Sequence, residues 1–217
     1  MAARKNLLSL HYAEVPTQPW PELERAWLRR LPRARRERIL RLREPVDRNA
    51  SLLGYALLAR ACAAQGLEPD WRDLRAAKRG KPTLLGGPDF SIAHAGRRVA
   101  CAVLARGRIG LDLEPRAAVR LSHLRLALDA RERAALASGR LTPADAFVMK
   151  EATVKAAGAT IAALPRVQLR GRRARLDSST FRLIPVNLGA RYSAWIATDQ
   201  RAPRARVRVH RPESLLD

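Results

Sequence analysis

Two short segments carry residue types able to do chemistry. The first is Ile109-Gly110-Leu111-Asp112-Leu113-Glu114. On a strand, successive side chains alternate faces, so Leu111 and Leu113 turn to a core while Asp112 and Glu114 lie side by side on the other face. Two neighbouring carboxylates repel unless a cation sits between them. Mg²⁺, which takes one or two carboxylates plus substrate phosphates, meets that need. An acid-x-acid pair also occurs at ordinary solvated strand ends, so by itself it specifies little. The second segment is Phe147-Val148-Met149-Lys150-Glu151-Ala152-Thr153-Val154-Lys155-Ala156-Ala157-Gly158. On a helix, Phe147, Glu151 and Lys155 share a face. A Glu-to-Lys pair at this spacing is common and contributes only about 0.2–0.5 kcal/mol. Here the neighbours Ala152, Val154, Ala156 and Ala157 are small or apolar, which predicts partial burial, and buried charges require partners.

Two basic residues stand near turns. His94 ends Phe90-Ser91-Ile92-Ala93-His94-Ala95-Gly96, just before a glycine turn, and Lys81 lies in Gly80-Lys81-Pro82, where proline stiffens the chain and presents the amine. His11, His123 and His210 share no motif with His94. Cys62 and Cys101 each sit between alanines and read as small core residues rather than a disulfide or zinc ligands.

The elements that must hold these residues can be read from spacing. A helix is expected from about Glu22 to Arg30, and Arg33 to Arg43 is very basic. From Asp47, a plausible N-cap, Leu52, Leu53, Ala56, Leu57, Ala59 and Cys62 recur at helical spacing until Gly66. Phe90 to Leu104 alternates as strand, turn at Gly96, strand. Gly107 leads to a third strand over Arg108 to Glu114, and the three together predict an antiparallel meander. Leu121 to Leu128 and Asp129 to Ala137 read as helical. Thr142 caps a longer helix with Pro143 at its first position and Gly158 beyond its end. Strands are expected over Val167–Leu176, Phe181–Val186 and Tyr192–Ala197. Arg204 to Arg211 alternates Arg with Ala or Val, as an edge strand with a charged face does. The class is α/β (α+β), in two halves, 1–106 and 107–217, each with a long helix and strands.

The chain has 217 residues, enough for one domain or two fused small ones. Hydrophobic residues make up 47%, which supports a core and argues against disorder despite the net charge of +22. That charge selects an anionic partner: nucleic acid, an acidic membrane surface, an acidic protein or a polyphosphate ligand. No window approaches the roughly 20 apolar residues of a membrane span. The N-terminal stretch has only the short apolar run Leu7-Leu8-Ser9-Leu10, less than a signal peptide needs. A soluble, cytoplasmic protein is expected.

Taken in order, these segments resemble the 4′-phosphopantetheinyl transferase superfamily, in its single-chain, surfactin-synthetase-activating type. The match runs through Ser51-Leu52-Leu53-Gly54 of the first long helix, Gly80-Lys81-Pro82, Phe90 to Gly96, Gly-Leu-Asp-Leu-Glu at 110–114, and Lys-Glu-Ala-x-x-x-Lys within 147–155. The resemblance implies a monomeric pseudodimer of two similar α/β halves, each an antiparallel sheet with a long helix, and a site between them. It implies transfer of phosphopantetheine from coenzyme A to a serine of an acidic acyl or peptidyl carrier protein, releasing adenosine 3′,5′-bisphosphate. Asp112, Glu114 and Glu151 are then the ligands of Mg²⁺ or Mn²⁺. Glu151 and Lys155 are catalytic. Lys81, His94, Lys155 and Arg48 contact coenzyme A. The chain departs from the family at four positions, one of them Phe147, where tryptophan is usual. Ala93 replaces the usual serine and Ser91 the usual asparagine. Ala50 stands where a phosphate-binding arginine is usual, a role that Arg48 or another arginine nearby is expected to take.

Two other readings compete with this one. A nucleic-acid-binding protein accounts for the charge and for the Arg clusters at 29–43, 166–175 and 201–211. Aromatics are only 5% of the chain, however, leaving few stacking platforms, and no nucleic-acid motif is evident. A carrier-protein-binding homologue that has lost catalysis is the third.

Overall fold

The computed structural model describes residues 7–75, 81–201 and 204–216. In chain order the elements are β1 (Leu7–Glu14), α1 (Pro21–Leu28), α2 (Arg33–Leu40), α3 (Pro45–Ala63), β2 (Leu74–Arg75), β3 (Thr83–Leu84), β4 (Asp89–Ala95) and β5 (Arg98–Leu104). Then follow β6 (Ile109–Pro115), α4 (Ala130–Ala137), α5 (Pro143–Ala156), β7 (Gln168–Arg170), β8 (Arg173–Leu176), β9 (Ser179–Pro185), β10 (Tyr192–Thr198) and β11 (Arg204–His210). Short 3₁₀ turns link several of them, and the expected helix over 121–128 is one such turn at Leu121–Leu124. The class is mixed α and β, as the alternating periodicities predict. None of the described helices is long and apolar enough to cross a membrane.

The chain divides into two compact units between Arg106 and Gly107. In the first, the sheet order is β11-β1-β5-β4. Here β1 pairs antiparallel with β5 and β5 with β4. The last strand, β11, lies parallel to β1 at the sheet edge. It therefore belongs to the first unit, although sequence order groups it with 107–217. Pairing with β1 satisfies backbone groups that a terminal strand beyond β10 would leave open.

Helix α3 carries the core of this unit: Leu52, Leu53, Ala56, Leu57 and Cys62 are all buried against Trp27, Phe90, Cys101 and Val103. Both cysteines are free thiols in that core. The helix begins earlier than Asp47 predicts. Glu44 precedes it and Pro45 opens it, while Asp47 falls in the first turn. Proline wins that position because it lacks the N–H that a helix start cannot satisfy. Buried Asn49 donates to the carbonyls of Pro16 and Gln18, both at 2.8 Å, fixing the link after β1 to α3.

In the second unit the order is β6-β10-β9-β8-β7, all antiparallel. The meander expected over 90–114 therefore ends at β5, because β6 pairs with β10 instead. The strand expected over 167–176 is two, β7 and β8, split at Gly171, whose φ of 59° is the left-handed turn conformation that favours glycine. Helix α5 starts and stops as its caps predict: the Thr142 side chain accepts from Asp145 N, Pro143 opens the helix, and Gly158 follows at φ 67°.

A buried ion pair joins α4, α5 and β7. Lys150 is fully buried, and its ammonium lies 2.9 Å from Glu132 Oε2 and also donates to the Val167 carbonyl. Glu132 Oε1 accepts from Leu169 N at 2.7 Å, and Glu132 completes a capping box with Asp129. Each charge is thus surrounded by partners, as burial demands. Replacing Lys150 by Ala strands Glu132 in the core. It should lower unfolding free energy by about 3–5 kcal/mol in urea titrations, whereas the double replacement Lys150→Met with Glu132→Leu should cost less than the single one.

Candidate functional site

The site is built where α5 lies on β6. Strand alternation puts Gly110, Asp112 and Glu114 on one face and Ile109, Leu111 and Leu113 on the other, where the three apolar side chains are buried. Helix α5 runs over the first face. At Gly110 the approach is backbone to backbone: a Cβ there would overlap the carbonyl oxygen of Ala152 and the nitrogen of Ala156. Glycine on the strand and small residues on the helix permit this closeness.

Other contacts fix the position of α5. At its N-terminal end Asp145 Oδ1 accepts from Ser193 Oγ at 2.6 Å and Trp195 Nε1 at 2.9 Å, both on β10, while Arg116 lies 3.3 Å from Oδ2. Burial would raise the Asp145 pKa, but the hydrogen bonds from Ser193, Trp195 and Thr142 and the charge of Arg116 outweigh it and hold the carboxyl below its ordinary value. Toward its C-terminal end Lys155 Nζ lies 2.6 Å from Asp112 Oδ1, in a pair whose carboxylate is 7% exposed.

Four of the predicted residues therefore come together: Asp112 and Glu114 from β6, Glu151 and Lys155 from α5. Lys155 reaches across to Asp112. The carboxylates are close enough to perturb one another. Desolvation, then the charges of Asp112 and Glu151, raise Glu114 from 4.5 to about 7, against the opposing pull of Lys155. Desolvation and Asp112 also push Glu151 above its ordinary value. Three carboxylates share one ammonium, so the cluster is short of positive charge although the chain carries +22. Among the described residues no three His, Cys, Asp or Glu side chains are arranged as a ready-made metal cage. The donor chemistry nonetheless suits a hard divalent cation. All three acids offer oxygen, and a cation would relieve the part of the Glu114 shift that repulsion from Asp112 and Glu151 adds to desolvation.

The other predicted residues lie in the first unit. Gly80 is outside the described residues. Lys81 is not an exposed loop amine: its side chain is 8% exposed and bonds Asp89 Oδ1 at 2.6 Å. Burial lowers its pKa, with Asp89 opposing. His94 is exposed at the end of β4, opposite Val99. Arg48 donates to Glu24 at 3.1 Å and to the Leu42 carbonyl at 2.7 Å, so it ties α1 and the end of α2 to α3.

Sequence spacing misses Lys150, Glu132, Asp145 and Gly110 as determinants of the site. One signal for the lysines was available. The chain has only five lysines among 42 basic residues. Lys81, Lys150 and Lys155 each make a carboxylate pair, while Lys5 and Lys78 lie outside the described residues.

No protein-family model matches the sequence, and no curated protein matches it.

Two outcomes test this geometry. Gly110→Ala should force α5 off β6, with loss of the native fold or a drop in melting temperature of several degrees on thermal scans, from the overlap with α5 backbone. Glu114, raised to about 7, binds a proton more tightly folded than unfolded, so its contribution falls as pH rises from 4.5 to 7. Without divalent cations, Glu114→Gln should match wild type in melting temperature near the low end of that window and exceed it above the high end.

Proposed function

We propose that the chain is a Mg²⁺-dependent transferase that moves 4′-phosphopantetheine from coenzyme A to a serine of an acidic apo acyl or peptidyl carrier protein. The observation that carries this reading is the cluster of Asp112, Glu114 and Glu151 around Lys155, short of positive charge and half-sheltered from water. The motif order that resembles the phosphopantetheinyl transferase superfamily supports it. So does the matching design of the two units. In each, a first strand (β1 or β6) leads to a long helix (α3 or α5) and then to two antiparallel strands that return beside the first (β4 and β5, or β9 and β10). We read this as a pseudodimer of two similar halves, working as a cytoplasmic monomer.

In the proposed reaction the serine Oγ attacks the β-phosphorus of coenzyme A. The bond from that phosphorus to the bridging oxygen breaks, and adenosine 3′,5′-bisphosphate leaves. Asp112, Glu114 and Glu151 would hold Mg²⁺, which would neutralise the diphosphate. Glu151 would also take, or orient a group that takes, the serine proton. Lys155 exchanges its bond to Asp112 for one to a phosphate oxygen and stabilises the leaving group. His94 serves the phosphates of coenzyme A, and Lys81 joins it only if it gives up its bond to Asp89. Arg48, already bonded to Glu24 and Leu42, assists only if it gives up one of those bonds.

The test is a mass measurement. The protein, coenzyme A and Mg²⁺ are incubated with several apo carrier proteins, and the expected result is a mass gain of one phosphopantetheine on at least one carrier. Asp112→Ala and Glu151→Ala should each slow transfer about a hundredfold or more while circular dichroism stays unchanged. A folded wild-type protein that modifies no carrier overturns the reading.

A further inference from the structure

A second cluster of polar and charged groups lies in the first unit, and none of its residues has a role above. His11 on β1 is 2% exposed. Its Nδ1 is 2.9 Å from Nε2 of His210 on β11, and the two rings stack with centroids 4.9 Å apart. The parallel register sets His11 opposite Arg208. Alternation along β11 then puts Arg208 and His210 on one face. Arg60, near the end of α3, completes the group and donates to the Ser214 carbonyl at 2.8 Å. These residues line a cavity of about 390 Å³.

Two features require explanation. The buried Nε2 of His11 has no hydrogen-bond partner among the described residues, a costly condition for a polar atom. Neither Arg60 nor Arg208 pairs with a carboxylate among the described residues, although 20 acids are present in the chain. Lys81, Lys150 and Lys155, by contrast, each lie against a carboxylate.

We propose that this cavity is a binding site for the dianionic phosphate group of a small molecule, held by Arg60, Arg208 and the His11–His210 pair. Guanidinium groups match phosphate oxygens in charge and in donor geometry. The cavity is larger than a phosphate ion alone requires and leaves room for a small organic remainder. The electrostatics agree. Desolvation, then His210, Arg208 and Arg60, lower His11 from 6.5 to about 4, and desolvation with Arg60 and Arg208 lowers His210. These shifts favour the neutral form of each ring, and an anion placed among them would favour protonation.

The experiment follows the imidazole resonances of the full chain by NMR at neutral pH during titration with inorganic phosphate, and separately with glycerol phosphate. The expected result is saturable movement of the His210 and His11 signals toward their protonated positions. Arg208→Gln, an exposed substitution that leaves the core intact, should weaken binding about tenfold or more. Arg60→Gln should do the same. Tighter binding of glycerol phosphate assigns the site to an organic phosphate, and equal binding assigns it to the free ion. No saturable shift with either probe, or unchanged affinity in Arg208→Gln, overturns the proposal.

Discussion

The close approach of α5 to β6 at Gly110 is the contact on which the candidate site depends. Backbone meets backbone there, and no side chain stands between them. Strand alternation then commits Asp112 and Glu114 to the helix side, two and four residues further along β6. Helix geometry sets Glu151 and Lys155 one turn apart on the same stretch of α5 as Ala152 and Ala156. A methyl group at Gly110 would overlap the backbone of Ala152 and Ala156, so the helix could not keep this position over the acids. Asp145 braces the same helix against β10, and the Lys150–Glu132 pair braces it against α4 and β7.

Charge is distributed unevenly within the chain. The excess of basic residues is almost wholly arginine, and much of it is on the surface. The candidate site has the opposite sign, three carboxylates against one ammonium. Desolvation first, and then that contrast, raises the proton affinity of Glu114 and Glu151. In water these groups would ionise independently; partly desolvated and close together, Glu114 and Glu151 hold protons more tightly than ordinary carboxyls. The lysines follow a different logic from the arginines. Lys150 and Lys81 are buried beside Glu132 and Asp89, and each ammonium has a carboxylate partner.

The first unit uses similar physics for other ends. Its long helix is buried on nearly every side, and polar side chains at its start tie down the loops before it: Asn49 holds the link after β1, and Arg48 holds α1 and the end of α2. The returning strand β11 closes the sheet edge beside β1 and brings His210 onto His11. The same strand–helix–strand–strand order recurs in the second unit with different residues, so the likeness is one of topology.

What local sequence determined is what local chemistry controls. Thr142, Pro143 and Gly158 mark both ends of α5 because caps and φ preferences act within one turn. Alternation in 109–114 puts the two acids on a common face because that follows from the pleat alone. The partners of those elements were not legible. Nothing in Ile109–Pro115 says that it pairs with β10 rather than β5, and nothing in 204–210 says that it joins β1 in parallel. Lys155 has Glu151 one turn away, yet its ion pair is with Asp112, 43 residues distant, because the sheet delivers that carboxylate to it. Lys81 reads as a loop amine until Asp89 and burial are seen. Residue types and faces are written along the chain. Which charges meet, and how dry they are, is decided only when distant segments pack, since pairing and desolvation are properties of the assembled core.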